Sequence, residues 1–136
     1  MAGKIKTVSV ERSLYRSFME KSEQFIRSAR EMHGAGRFNV SASNSVHACI
    51  SAADALCVWY LGKRSAGEKH ADAVNLVKSA KNSEEFTSNA AKFSRVLSVK
   101  SLAEYDVRMA GKKDSESALI NAEKFVEFVR RSLPPA

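Results

Sequence analysis

Proline is almost missing from this sequence. The only two are Pro134 and Pro135, so no ring interrupts a helix before the last three residues. Glycine is scarce too, with six in 136 residues, and no low-complexity stretch marks a linker between domains. Cysteine occurs twice, with no Cys-x-x-Cys pair and no cysteine–histidine cluster at zinc spacing, which argues against a structural metal. Cys49 and Cys57 stand eight residues apart in an apolar stretch. On a helix that is roughly 12 Å along the axis, too far to bridge, so both read as buried reduced thiols. A membrane span is missing as well. The longest apolar stretch, residues 41–61, is broken by His47, Asp54 and several serines. The first ten residues, MAGKIKTVSV, lack the apolar core of a signal peptide. The expected setting is the cytoplasm, with no membrane partner. Acid is in deficit: 15 Asp and Glu against 22 Lys and Arg give a net charge of +7 and a pI near 9.6. That balance favours a polyanionic partner such as RNA, DNA or a nucleotide, although no arginine-rich or aromatic-rich nucleic-acid motif accompanies it.

What is present is helical periodicity. The length suits one domain with a real core. Residues 1–8 read as a flexible arm, residues 9–133 as one helical domain, and residues 134–136 as a tail. Ser9 is placed to cap a first helix with Glu11 in its first turn, and Gly34 and Gly36 close it. Leu14, Phe18, Phe25, Ala29 and Met32 form its apolar line, and His33 reads as a partly exposed histidine at its C-terminal end. A second helix runs from Ser41 to Leu61 and is stopped by Gly62. A polar connection, residues 63–67, leads to a third helix opening at Glu68. Asn82 or Ser83 caps a fourth, with Glu84 and Glu85 in its first turn, and Asp114 or Ser115 caps a fifth that ends before the prolines. No segment shows the strict alternation of a strand. The expected fold is all-α: an antiparallel up-and-down bundle of about five helices, roughly three-quarters of the chain.

The second helix organises the rest. It is apolar on nearly every side, which requires burial among the others. Yet Asn44, His47, Ser51 and Asp54 recur at steps of three, four and three, which places them on one stripe of one face. Buried polar groups need partners, so this stripe is either a packing network or part of a site. Just beyond the helix, Arg64 and His70 lie on either side of a short turn with five residues between them. A guanidinium clamps phosphate and offsets growing negative charge, and a histidine moves protons near neutral pH. Together they suit phosphodiester cleavage by an RNA 2′-hydroxyl. A chance pairing on a surface turn is the plain alternative.

These pieces resemble a known family. The stretch SVHACISAADALCVWYLGKRSAGEKHADAVNLV is similar to the alanine-rich second helix, turn and helix-opening histidine of HEPN domains (higher eukaryotes and prokaryotes nucleotide-binding). KSLAEYDV, residues 100–107, resembles the family's basic-x-x-Ala-acid-Tyr signature, and the amphipathic C-terminal helix follows in order. The resemblance implies RNA or nucleotide as partner and, in many members, a metal-independent endoribonuclease, often the toxin of a toxin–antitoxin pair. Such members carry an arginine and a histidine four to six residues apart and form a homodimer whose two motifs share one cleft. Other members lack activity and bind nucleotides, or pair with a nucleotidyltransferase-type antitoxin. Carried over, Arg64 would stabilise the charged phosphorus centre and His70 would act as acid or base. Asp54 would orient one of them, with Ser65 and His47 in support, and Lys100 would touch phosphate. Tyr105 would be a packing residue whose hydroxyl meets a polar partner. No cofactor and no metal is implied. Ser65 stands where the family commonly has Asn, Asp or His, which keeps a non-catalytic binding module, and a purely structural protein, open beside the enzyme.

Overall fold

The structure, a computed structural model, describes residues 4–135. The first three residues of the arm and the last of the tail lie outside the described residues. Helix α1 spans Tyr15–Gly34, α2 Phe38–Leu61, α3 His70–Ala80, α4 Glu84–Leu97, α5 Lys100–Glu104 and α6 Lys112–Ser132. A two-stranded antiparallel sheet, β1 Thr7–Ser9 and β2 Lys63–Ser65, completes the order, with a 3-10 turn at Arg12–Leu14. About 74% of the chain is helical, an all-α bundle. No helix among the described residues is long and apolar enough to cross a membrane.

Helix α2 is the axis of the core. Twelve of its 24 residues are buried, and they point in several directions rather than along one stripe. Small residues let its neighbours come close. Ser22 Oγ on α1 donates to the Ala48 carbonyl at 2.7 Å, and Ser41 Oγ on α2 donates to the Ala29 carbonyl at 2.7 Å. From Ser22 to Ala29 the chain climbs seven positions on α1, while the partners descend seven on α2, from Ala48 to Ser41. The two helices are therefore antiparallel, locked by buried hydroxyls that satisfy second lone pairs of helical carbonyls. Arg30 to Glu123 at 2.7 Å and Arg130 to Glu23 at 2.9 Å set α6 antiparallel to α1 in the same way. These ion pairs are exposed and contribute at most ~1 kcal/mol each, so they record register more than they supply stability. The stabilisation lies beneath them. Phe93 stacks on Phe125 with centroids 4.9 Å apart, and Phe86 meets Phe128 edge-on at 5.0 Å, which fastens α4 to α6. Each ring is buried, worth ~1.5–3 kcal/mol of transfer free energy apiece.

Helix ends differ from the sequence expectations in instructive ways. Ser83 caps α4, its Oγ accepting from the Glu85 and Phe86 amides at 3.1 and 3.4 Å. Gly62 ends α2 in the left-handed region at φ +69°, where a side chain would be strained. Ser9 does not cap α1; it lies in β1, and the helix begins at Tyr15. Helix α2 begins three residues earlier than expected, at Phe38, and α3 two residues later, at His70. Neither Asp114 nor Ser115 caps α6. The helix begins at Lys112, and Asp114 in its first turn reaches back to accept the Gly111 amide at 3.0 Å. Ser115 instead is buried, with its Oγ 2.8 Å from His33 Nδ1.

The arm expected over residues 1–8 is not loose along its whole length. From Lys6 onward it is stitched to the segment after α2: Val10 N–H donates to Gly62 O at 3.0 Å and Ala66 N–H to Lys6 O at 2.9 Å. Between them the register pairs Val8 with Arg64. Bonded pairs in an antiparallel ladder recur every second residue, so Val8 and Arg64 fall in a hydrogen-bonded pair.

Candidate functional site

Arg64 is the middle residue of a strand, and its backbone has little freedom. Gly62 turns the chain at the end of α2, β1 pairs with the three residues that follow, and α3 starts at His70. The carboxyl-terminal pole of α2 is partially negative, which suits Lys63 and Arg64 just beyond it. The Arg64 guanidinium lies 5.8 Å from the centre of the Phe18 ring on α1, within cation–π range. His70 is the first residue of α3, in the turn whose amides have no helical partner. Both side chains line one cleft of about 600 Å³, a size usual for small-molecule and cofactor sites. Asp54 from α2, Ser65 from β2, and Lys100 and Tyr105 from α5 and its end line it too, with Phe93 and Leu97 of α4 as apolar wall.

The cleft carries more cations than acids, with Arg64, Lys69 and Lys100 in its lining. Among the described residues none of Arg64, His70 and Lys100 forms an ion pair. Two acids line the cleft, Glu68 and Asp54, and the Asp54 carboxyl is pushed up to about 6 by burial, while Arg64 and then Lys21 pull it back towards ionisation. Cys57 also lines the cleft, but burial foremost, with Asp54 adding to it, pushes its thiol up to about 12, so it is not a thiolate nucleophile at neutral pH. Cys49, buried and unbridged like Cys57, is driven higher still by burial alone. Ser65 Oγ is shielded from solvent and has no hydrogen-bond partner. A buried hydroxyl without a partner costs ~1–3 kcal/mol. Among the described residues no three His, Cys, Asp or Glu side chains converge as metal ligands do.

The HEPN domain family model matches residues 15–132. The chain belongs to the HEPN family. Its fold is similar to that of TT1696 from Thermus thermophilus, known from a crystal structure, with a TM-score of 0.66 at 16% identity, covering 88% of this chain and 98% of that one. No curated protein sequence matches it. In this HEPN chain the strand that fixes the backbone of Arg64 lies ahead of the matched residues, since β1 ends at Ser9.

Two expectations about side chains fail. His47 does not reach the cleft. It shares a helix face with Asp54 but sits seven residues earlier, about 10 Å along the axis. There its Nε2 is 2.7 Å from Glu104 Oε1 on α5, and the Phe25 ring lies 5.5 Å from its own. The polar stripe thus divides. Asn44, which donates to Ser28 Oγ at 2.8 Å, and His47 tie α2 to its neighbours, and Asp54 faces the cleft. Periodicity showed that these groups share a face, but not that a short helix crosses half of it. Tyr105 does not pack. It is 77% exposed at the cleft wall, and its hydroxyl bonds to nothing among the described residues. Other contributors went unread in the sequence. Asn39 at the start of α2 donates to Ala103 O at 2.7 Å and accepts from Ala110 N–H at 2.9 Å, bracing α5 and the loop after it. Strand β1 carried no signal either: Ile5 and Thr7 are half-buried and Lys4, Lys6 and Val8 exposed, so a polar residue faces in and an apolar one faces out, and apolar alternation does not mark it.

Proposed function

We propose that this HEPN protein binds RNA in the cleft at the α2–α3 turn and cleaves it without a metal, with Arg64 and His70 as the reacting pair and a homodimer as the working unit. The observation that carries the reading is the meeting of an unpaired guanidinium, a helix-opening imidazole and Lys100 in one cleft of nucleotide size. The chemistry follows from those groups. The 2′-hydroxyl loses its proton and its oxygen attacks the adjacent phosphorus, and the bond from phosphorus to the 5′-oxygen breaks. A 2′,3′-cyclic phosphate remains on one fragment and a 5′-hydroxyl on the other. Arg64, with its planar fork of donors, would hold the non-bridging oxygens as negative charge builds on them. His70 would take the 2′-proton or give one to the leaving oxygen. The complementary role needs a second group, and either the His70 of a second copy or Asp54, with its raised value, would fill it. Lys100 would add a point charge along the backbone.

A second reading is favoured by Ser65. A neutral hydroxyl occupies the place beside the arginine, and a non-catalytic HEPN module that holds a nucleotide, or pairs with a nucleotidyltransferase-type antitoxin, would need no more than that. The test separates the two. RNA is incubated in EDTA with the wild type, Arg64→Ala and His70→Ala. The enzyme reading expects cyclic-phosphate ends from the wild type and none from either variant. Binding by all three without any cleavage supports the module. Equal cleavage by all three defeats the assignment of this pair.

A further inference from the structure

The three tyrosines of the chain are treated differently by the fold. Tyr15 is buried, its ring 5.0 Å from Trp59 and its hydroxyl accepting from Arg16 Nε at 3.2 Å. Tyr60 lies 5.4 Å from Phe86, and its hydroxyl donates to Ser132 O at 3.0 Å. Tyr105 has neither an aromatic neighbour nor a hydroxyl partner among the described residues, and it is 77% exposed. It nevertheless lines the same cleft as Arg64 and Lys100.

Its backbone, by contrast, is fixed. The Tyr105 and Asp106 amides both donate to Ser101 O at 3.0 Å, closing α5. Helix α5 buries no residue of its own and is held by polar ties to one face of α2. Asn39 bridges Ala103 and Ala110, and four and eight positions further along α2, Ser43 and His47 reach Glu104 at 3.4 and 2.7 Å. An apolar ring is thus presented to water on a braced segment, and Val107 and Met109 continue it at 99% and 75% exposure. Arg108 stands between them, and Lys112 and Lys113 follow, all exposed. Arg108 pairs with Asp106 at 3.6 Å, whereas Lys112, Lys113 and, in the cleft, Arg64 and Lys100 form no ion pair among the described residues. An aromatic face beside such cations is what a nucleobase with its phosphate requires, because every base offers a π-face whatever its identity. A ring already held in place loses little freedom when a base stacks on it.

We infer that Tyr105 is a stacking platform for a nucleobase at the mouth of the cleft, so that the ligand is recognised as a base joined to a phosphate and not as a phosphate alone. The inference rests on the proposed RNA-binding role of the cleft. Sequence preference from such a platform is weak, and the base would be single-stranded.

The test uses the full chain and two non-cleavable probes: a 2′-O-methyl tetranucleotide and the same backbone without bases. The wild type is expected to bind the base-bearing probe about ten-fold more tightly. Tyr105→Ala is expected to lose that preference and leave the base-free affinity unchanged, while Tyr105→Phe keeps both. The residue is exposed, so the variants fold, and a melt matching the wild type verifies this. Equal loss on both probes, or no loss on either, overturns the platform. A shift in oligomeric state with unchanged affinity for both probes also overturns it and assigns the ring to a protein interface. Arg64→Ala is expected to weaken both probes. If it weakens neither while Tyr105→Ala still removes the base preference, the phosphate role of the cleft fails and the platform survives.

Discussion

Asp54 is an acid held out of water beside Arg64 and Lys21, and its protonation links stability to pH. In the unfolded chain it titrates near 3.8, in the folded chain near 6. Between those values the folded state keeps a proton that the unfolded state has lost, so stability falls as pH rises through that window and stays lower above it. Asp54→Asn removes the ionised form. It is expected to gain ~2–3 kcal/mol near pH 8 and almost nothing near pH 4, measured by urea unfolding at both. Equal gains at the two pH values would show that the carboxyl is not the cause. The same change takes a negative charge from beside Arg64, so a non-cleavable RNA is expected to bind more tightly even if cleavage is lost. His47 shows the complementary lesson. Its spacing from Asp54 is that of one face, yet Glu104 holds it elsewhere.

At the level of elements, two polar attachments position the cleft. Strand β1 fixes the backbone of Arg64, and Val8 faces it in the ladder. Val8→Pro removes an amide that the pairing uses, in a strand that is otherwise at the edge of the bundle. It is expected to weaken RNA binding nearly as much as Arg64→Ala while the melting temperature of the helices changes by only a few degrees. A normal affinity would mean that the strand is not what holds the arginine. Asn39 performs the equivalent task for α5. Asn39→Ala leaves the amide of buried Ala110 without its acceptor, at a cost of ~1–3 kcal/mol. Hydrogen exchange is expected to accelerate across residues 99–110 and not in α2 or α6, and an unchanged pattern there would remove the bracing role. Neither attachment involves a hydrophobic line, which is why a reading built on apolar periodicity passed over both.

At the level of the whole molecule, the +7 charge sets how a polyanion binds. Each phosphate neutralised by Lys or Arg releases condensed counterions, so RNA affinity is expected to fall steeply and linearly on logarithmic axes as salt rises. Arg64→Ala is expected to make that slope shallower by about one counterion, read from titrations between low and physiological salt. A slope identical to the wild type would place the arginine off the phosphate path. The homodimer is checked by mass in solution, and a strict monomer that still cleaves would assign the second proton-transfer role to Asp54 within one chain.

What the sequence determined by itself was the set of apolar lines. Phe86, Ala90, Phe93 and Leu97 on α4, and Ala122, Phe125 and Val129 on α6, could be buried only against one another and around α2, because a helix hides a face only where another helix covers it. The turn carrying Arg64 and His70 was legible as well, from a glycine stop and a helix start close together. Only the tertiary structure decided which polar groups share a space. Asp54 entered the cleft, His47 was claimed by Glu104, Tyr105 was left outside the core, and β1 came from the far end of the chain to fasten Arg64. Hydrogen bonds between distant residues depend on where helices cross and strands meet, and that geometry is set by packing across the whole bundle and not by spacing along one helix.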